Sequence, residues 1–146
     1  MRFAFVAVGV ALAGGALAGC ESVYSPPAGA PVAQVSVSRA RMLESQQAMV
    51  LHLGADRSRR DWIGDGILYE YDVRWPVAAD RTVFEVELLT YAGYTELYCS
   101  TFYSFTPQVG HAYVFTPEGS GKSCRAAVSD AQTGAAPADL RQELAN

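Results

Sequence analysis

A mostly β fold, an antiparallel β-sandwich of about seven strands closed by one disulfide, follows from three features of this chain. Between residues 67 and 129 apolar and polar side chains alternate in short runs, the period of a half-buried strand. Glycine and proline clusters divide those runs at the spacing of a sandwich or small barrel. Cys99 and Cys124 form an even pair once Cys20 is accounted for separately. Eight Tyr and six Phe, most of them between 69 and 115, supply bulk for a core.

The chain opens with Met1-Arg2 and an uncharged apolar stretch at 3–18 rich in Ala, Gly and Val. Crossing a bilayer takes roughly 20 apolar residues, so the stretch reads instead as a secretory signal ending in small residues. Leu17-Ala18-Gly19-Cys20 closes it. This tetrapeptide resembles the lipobox of bacterial lipoproteins. The resemblance implies that residues 1–19 are removed and that Cys20 carries diacylglycerol on sulfur and an acyl chain on its new amine. Several acyl chains anchor stably where one binds only marginally. Glu21, in place of the Asp that often marks inner-membrane retention, implies the outer membrane, with the domain facing the periplasm. Residues 20–31, with Pro26, Pro27 and Pro31, read as a lipidated tether that acts as a spacer.

The sandwich domain is expected over 32–130. Val35 and Val37 alternate with Gln34 and Ser36 in a first strand. Residues 39–53 admit two readings, a helix capped by Ser38 and Gly54 or a strand at 48–53 after a short turn or helical piece; the strand is adopted. Residues 56–66 form a polar loop in which arginines among Asp56, Asp61 and Asp65 argue against calcium. Ile67, Tyr69, Tyr71, Val73 and Trp75, alternating with Leu68, Glu70, Asp72 and Arg74, give the clearest strand, stopped by Pro76.

After Asp80-Arg81, Phe84, Val86 and Leu88 oppose Val83, Glu85 and Glu87 until Gly93 breaks the run. Residues 95–105 follow, with Leu97, Cys99, Tyr103 and Phe105 on one side. A turn at 107–110 leads into 111–116, and a second at 117–121 leads into 123–129. Residues 131–146 are a tail with a short helix at 138–145.

Cys99 and Cys124 are expected to pair, as cysteines do in an oxidising compartment. In a flat three-strand meander they would lie about 9.6 Å apart, beyond the roughly 7 Å a disulfide spans. Three arrangements satisfy the bond: a bridge between two sheets, direct pairing of the first and last strands, or a bulge at Cys99. The bridge between sheets is adopted. The arrangement is similar to immunoglobulin- or transthyretin-like sandwiches and to many small envelope lipoproteins, transthyretin-like secretion-system lipoproteins among them.

Chemistry is sparse. His52 and His111 lack metal-ligand spacing and are expected to line strands. Gly119-Ser120-Gly121 suits a hairpin better than a nucleophile elbow, and Ser120-Gly121-Lys122 lacks the phosphate loop's first glycine. Glu85 and Glu87 are read as a solvent-facing stripe rather than a glycan-cleaving pair. Trp62 and Trp75 are the candidate partner contacts, weighed against a role at the core edge. Fifteen acidic residues exceed eleven basic ones, which argues against nucleic acid. No catalytic residue, metal site or cofactor beyond the lipid on Cys20 is expected. The function read from the sequence is a non-enzymatic binding or structural module, anchored by its lipid and docking an envelope protein. The alternatives are an inhibitor or binder of a cell-wall enzyme such as lysozyme and, third, an enzyme acting on the cell wall.

Overall fold

The computed structural model describes residues 22–64 and 71–144. The acylation candidate Cys20 and residues 67–70 of the expected strand lie outside them. Two sheets face each other. One is ordered β4-β1-β7-β8 and the other β3-β2-β5-β6-β9. In chain order the strands are β1 Val32–Val37, β2 Gln46–Gly54, β3 Asp61–Trp62, β4 Trp75–Ala78, β5 Thr82–Ala92, β6 Thr95–Phe105, β7 Ala112–Ser120, β8 Ser123–Asp130 and β9 Arg141–Glu143. The described residues thus carry nine strands where about seven were expected. Among the nine described strands every pairing is antiparallel except β1 with β7.

Alternation puts Phe84 and Val86 of β5 on the inner face, with Val50 of β2 and Phe105 of β6. They meet Val35 of β1, Tyr113 and Phe115 of β7 and Val128 of β8. The ring centroids of Phe84 lie 5.1 Å from Phe105 and 5.3 Å from Phe115, the range in which tilted aromatic pairs attract. Among the described side chains, the buried polar groups of this layer are paired except His52 Nδ1, which has no hydrogen-bond partner. The buried Gln46 amide donates to Gly119 O at 2.7 Å and Thr90 Oγ1 at 3.2 Å, tying β2 and β5 to β7. Tyr103 accepts from the Ala126 amide at 2.7 Å, so β6 supports β8 across the sandwich. Beside that contact the Cys99–Cys124 disulfide, with a Cα separation of 6.0 Å, joins the two sheets as expected.

The 39–53 region resolves as strand β2, and its helical reading is set aside. The boundaries of β5 and β6 match the sequence expectation closely. Several expectations need correction.

The strand expected up to Trp75 is not one at its described end. Tyr71 and Asp72 form a bend, with Asp72 at φ 64°, and the strand starts at Trp75 and runs through Pro76. Two long-range bonds favour the bend: the Ala48 amide donates to Tyr71 Oη at 3.1 Å, and the Asp72 amide to Val37 O at 2.8 Å. Pro76 is tolerated because β4 is an edge strand.

The turn expected at 117–121 falls later, since β7 continues through Pro117 to Ser120. β1 pairs with β7 only as far as Phe115, so Pro117 has no partner strand on that side to miss its N–H. Gly119 sits at φ 126°, where an added Cβ would lie 2.3 Å from Ser123 O, so no other residue fits there.

The helix expected at 138–145 is instead strand β9, hydrogen-bonded along Phe102, Tyr103 and Ser104 of β6. So short a segment is marginal as an isolated helix, and the edge of β6 satisfies its backbone directly.

The polar loop at 56–66 contains the short strand β3, and the segment read as a spacer is partly docked on it. The Trp62 amide donates to Ser22 O at 2.8 Å, and the Tyr24 amide donates to Trp62 O at 2.8 Å. Tyr24 then turns inward, its ring 3.8 Å from that of His52 and its hydroxyl accepting from the Ala78 amide at 3.2 Å. Tyr24→Ala removes that ring and the cap on Ala78 together. It is expected to cost about 2 kcal/mol in urea denaturation, whereas a mere spacer would register nothing.

Candidate functional site

Among the described residues, exposed aromatic side chains gather at the far end of the β5–β6 hairpin. Each strand has 11 residues, but their neighbours are shorter. β2 accompanies β5 only up to Thr90, and β9 accompanies β6 only over Phe102, Tyr103 and Ser104. The hairpin therefore projects past the sheet. Ala92 pairs with Thr95 across a two-residue loop of Gly93 and Tyr94, with Gly93 at φ 65°, as a tight hairpin turn requires of its first position.

Three tyrosines mark this end. Tyr94 is fully exposed at the tip, Tyr98 is 51% exposed and Tyr91 37%. Register places Tyr98 opposite Leu89, so Tyr91 and Tyr98 share the outer face with Glu85 and Glu87. Their hydroxyls are held: Tyr91 donates to Gln47 Oε1 at 3.2 Å and Tyr98 to Glu87 Oε2 at 2.5 Å. Pinned hydroxyls present rings of fixed orientation, which is how aromatic anchors bind at low entropic cost.

Glu85 and Glu87 correct the reading of a solvent-facing stripe. Glu85 is 7% exposed and Glu87 1%. Arg60, brought across by the β2–β3 loop, pairs with Glu85 at 3.2 Å and also with Glu87. Beside them Leu51, Leu53 and Val83, flanked by Trp62 and Phe102, make a second small apolar cluster on the outer face. Burial pushes the Glu87 carboxyl up, more than the Tyr98 hydroxyl and Arg60 draw it down. Burial, then the bond to Glu87, pushes the Tyr98 phenol up as well, so Tyr98 stays a donor.

A carboxyl whose folded-state pKa is raised favours the fold when protonated and costs stability once ionised. That cost is absent below the ordinary carboxylate range and grows as pH rises through it. Glu87→Gln is therefore expected to gain stability relative to the parent between pH 4 and pH 7. Paired urea titrations at the two values would refute this if the difference stayed flat or changed sign. Arg60→Ala leaves both carboxylates without this cation. The cost is expected to be about 2 kcal/mol, below the roughly 3–5 kcal/mol of a fully buried pair, because Arg60 keeps 42% of its side chain in solvent. Thermal unfolding of that variant reads the effect.

The two histidines lie elsewhere. His52 is buried on β2, its Nε2 3.0 Å from Thr82 Oγ1, and burial lowers its pKa. His111, just before β7, binds Asp130 through Nδ1 at 2.6 Å, beside an open cleft of about 630 Å³ walled by Pro107, Val109 and Pro137. That bond, then the Gln132 amide, holds the Asp130 carboxyl below its usual range. Among the described residues no group of three or more His, Cys, Asp or Glu is placed to hold a metal ion. No described helix is long and apolar enough to cross a membrane.

Trp62 packs half-buried on the outer apolar cluster and Trp75 on the main core, where its ring lies against Gly64. This is the core-edge arrangement, and the structure does not bring the two indoles into the hairpin surface. Sequence reasoning passed over Tyr91, Tyr94 and Tyr98 because they were counted toward the core. Gly93 beside Tyr94 was the available signal, since a hairpin tip is solvent-exposed. Searches against protein-family models, curated proteins and solved structures find no match to this chain.

Proposed function

We propose that the protein is a membrane-anchored, non-enzymatic binding module of the bacterial cell envelope, held by lipid on Cys20 and engaging a protein partner through the tip of the β5–β6 hairpin. The observation that carries this reading is the projecting hairpin with Tyr91 and Tyr98 on its outer face and Tyr94 at the turn. Tyrosine is enriched in interfaces because a large rigid ring carries a polar tip. Large exposed apolar patches rimmed by polar residues mark interaction sites, and the three rings lie together at one end of the hairpin. The lipobox-like Leu17-Ala18-Gly19-Cys20 supports the anchor, and the disulfide fits the oxidising compartment to which such a signal leads.

The test is crosslinked affinity purification of C-terminally tagged protein from native membranes, alongside Cys20→Ala and Tyr91→Ser/Tyr94→Ser. A stoichiometric partner, lost with the tyrosine pair and reduced with Cys20→Ala, is the expected result. Absence of any protein partner, together with inhibition of lysozyme or binding of peptidoglycan fragments by the purified domain, would overturn it in favour of a cell-wall role.

A further inference from the structure

The N-terminal segment carries information about where the domain sits. Residues 22–24 are not a free tether: Ser22 and Tyr24 bracket Trp62 through two backbone bonds of 2.8 Å, and Ser22 Oγ also bonds Asp61. Only Glu21 separates Ser22 from Cys20. Two residues of fully extended chain span at most about 7 Å. An acyl chain on Cys20 would thus insert into the bilayer within a few ångströms of the folded domain.

The direction of the segment is also defined. β3 runs from Asp61, level with His52 and Phe84, toward Trp62, level with Leu51 and Glu85, and so toward the hairpin tip. Val23 pairs with Trp62 in parallel. Read backward from Tyr24 to Ser22, the chain therefore heads away from the tip. Ala92 lies eight residues beyond Phe84 along β5, or about 27 Å at the rise of an antiparallel strand.

We infer that the end of the domain opposite the hairpin tip, toward which the chain runs back from residues 22–24 docked on Trp62, is a bilayer-contacting surface, and that the tyrosine hairpin is thereby held at the membrane-distal end of the domain. The partner is a phospholipid surface, selected by the length of chain between the anchor and the first docked residue. The inference rests on the reading of Cys20 as the acylated residue. It adds that the domain has one orientation on the membrane instead of swinging on a spacer. It also assigns the docked strand a task that three prolines in a flexible linker would not perform.

The experiment supplies the anchor chemically, so that it stands or falls apart from acylation in the cell. The chain beginning at Cys20 is coupled through that thiol, free while Cys99 and Cys124 are bridged, to a maleimide phospholipid in vesicles. A fraction of the remaining lipid carries a headgroup nitroxide, which quenches indoles at short range. In a Trp75→Phe background the native Trp62 reports the β3 edge. A second protein with Trp62→Phe, Trp75→Phe and Tyr94→Trp reports the tip. Both are first checked for cooperative unfolding. Loss of at least half the emission of Trp62, with less than a tenth lost at the tip, is the expected result. Equal quenching at both positions, or none at Trp62, would overturn the orientation even where native acylation of Cys20 is found by mass spectrometry.

Discussion

Phe84→Ala is expected to lower the unfolding free energy by about 4 kcal/mol, within the range for emptying a buried aromatic site. Phe84 has no solvent exposure and stands between Phe105 and Phe115, with the His52 ring 6.1 Å away. It is where strands of both sheets meet, so its neighbours belong to separate elements and collapse poorly into the cavity. A two-state urea titration with unchanged slope and a shifted midpoint is the readout. A loss below about 1.5 kcal/mol would mean that the sheets repack freely there, contrary to the close packing expected of a core.

Removing the disulfide with Cys99→Ser/Cys124→Ser is the second large effect. The two cysteines are 25 residues apart, and closing a loop of that length is worth about 3.5 kcal/mol on the chain-entropy model. The bond also lies on β6 below the projecting end of the hairpin and ties that strand to β8. The double variant is therefore expected to show a lower melting temperature and faster amide exchange at 91–98 than global destabilisation accounts for, while exchange around Phe84 quickens only in step with the loss of global stability. Uniform change across both regions would mean that the bond acts on the unfolded chain alone.

What the sequence disclosed and what it hid divide along one physical line. The extents of β5 and β6 were readable because side chains alternate without interruption and Gly93 supplies the turn. The bridge between sheets was only partly readable: spacing ruled out a flat meander but left three arrangements, of which the structure has the inter-sheet one. Misreadings arose where a distant residue changed the meaning of a local pattern. Alternation around Glu85 and Glu87 implied a wet face, but Arg60, 25 residues before Glu85, crosses to pair with both and allows them to be buried. Tyr71 fitted a strand pattern, yet its hydroxyl is used by the Ala48 amide. Three prolines made 20–31 look like pure spacer, while Tyr24, its one large aromatic residue, was the sign of a docked segment. The helix expected at 138–145 failed because its backbone had a vacant strand edge to join.

The candidate surface was the least legible part, because exposure depends on how far neighbouring strands reach. Nothing local to Tyr91 or Tyr98 says that β2 begins only opposite Thr90 or that β9 covers only three residues of β6.

The central claim, that the hairpin tip is the docking point of an anchored module, is most directly tested by a photocrosslinking amino acid placed at Tyr94. The comparison is the same probe at Val109, exposed at the opposite end of the sandwich. Irradiation of intact cells is expected to give one discrete crosslinked species from position 94 and none from position 109. A partner captured from 109 and not from 94 would contradict the account.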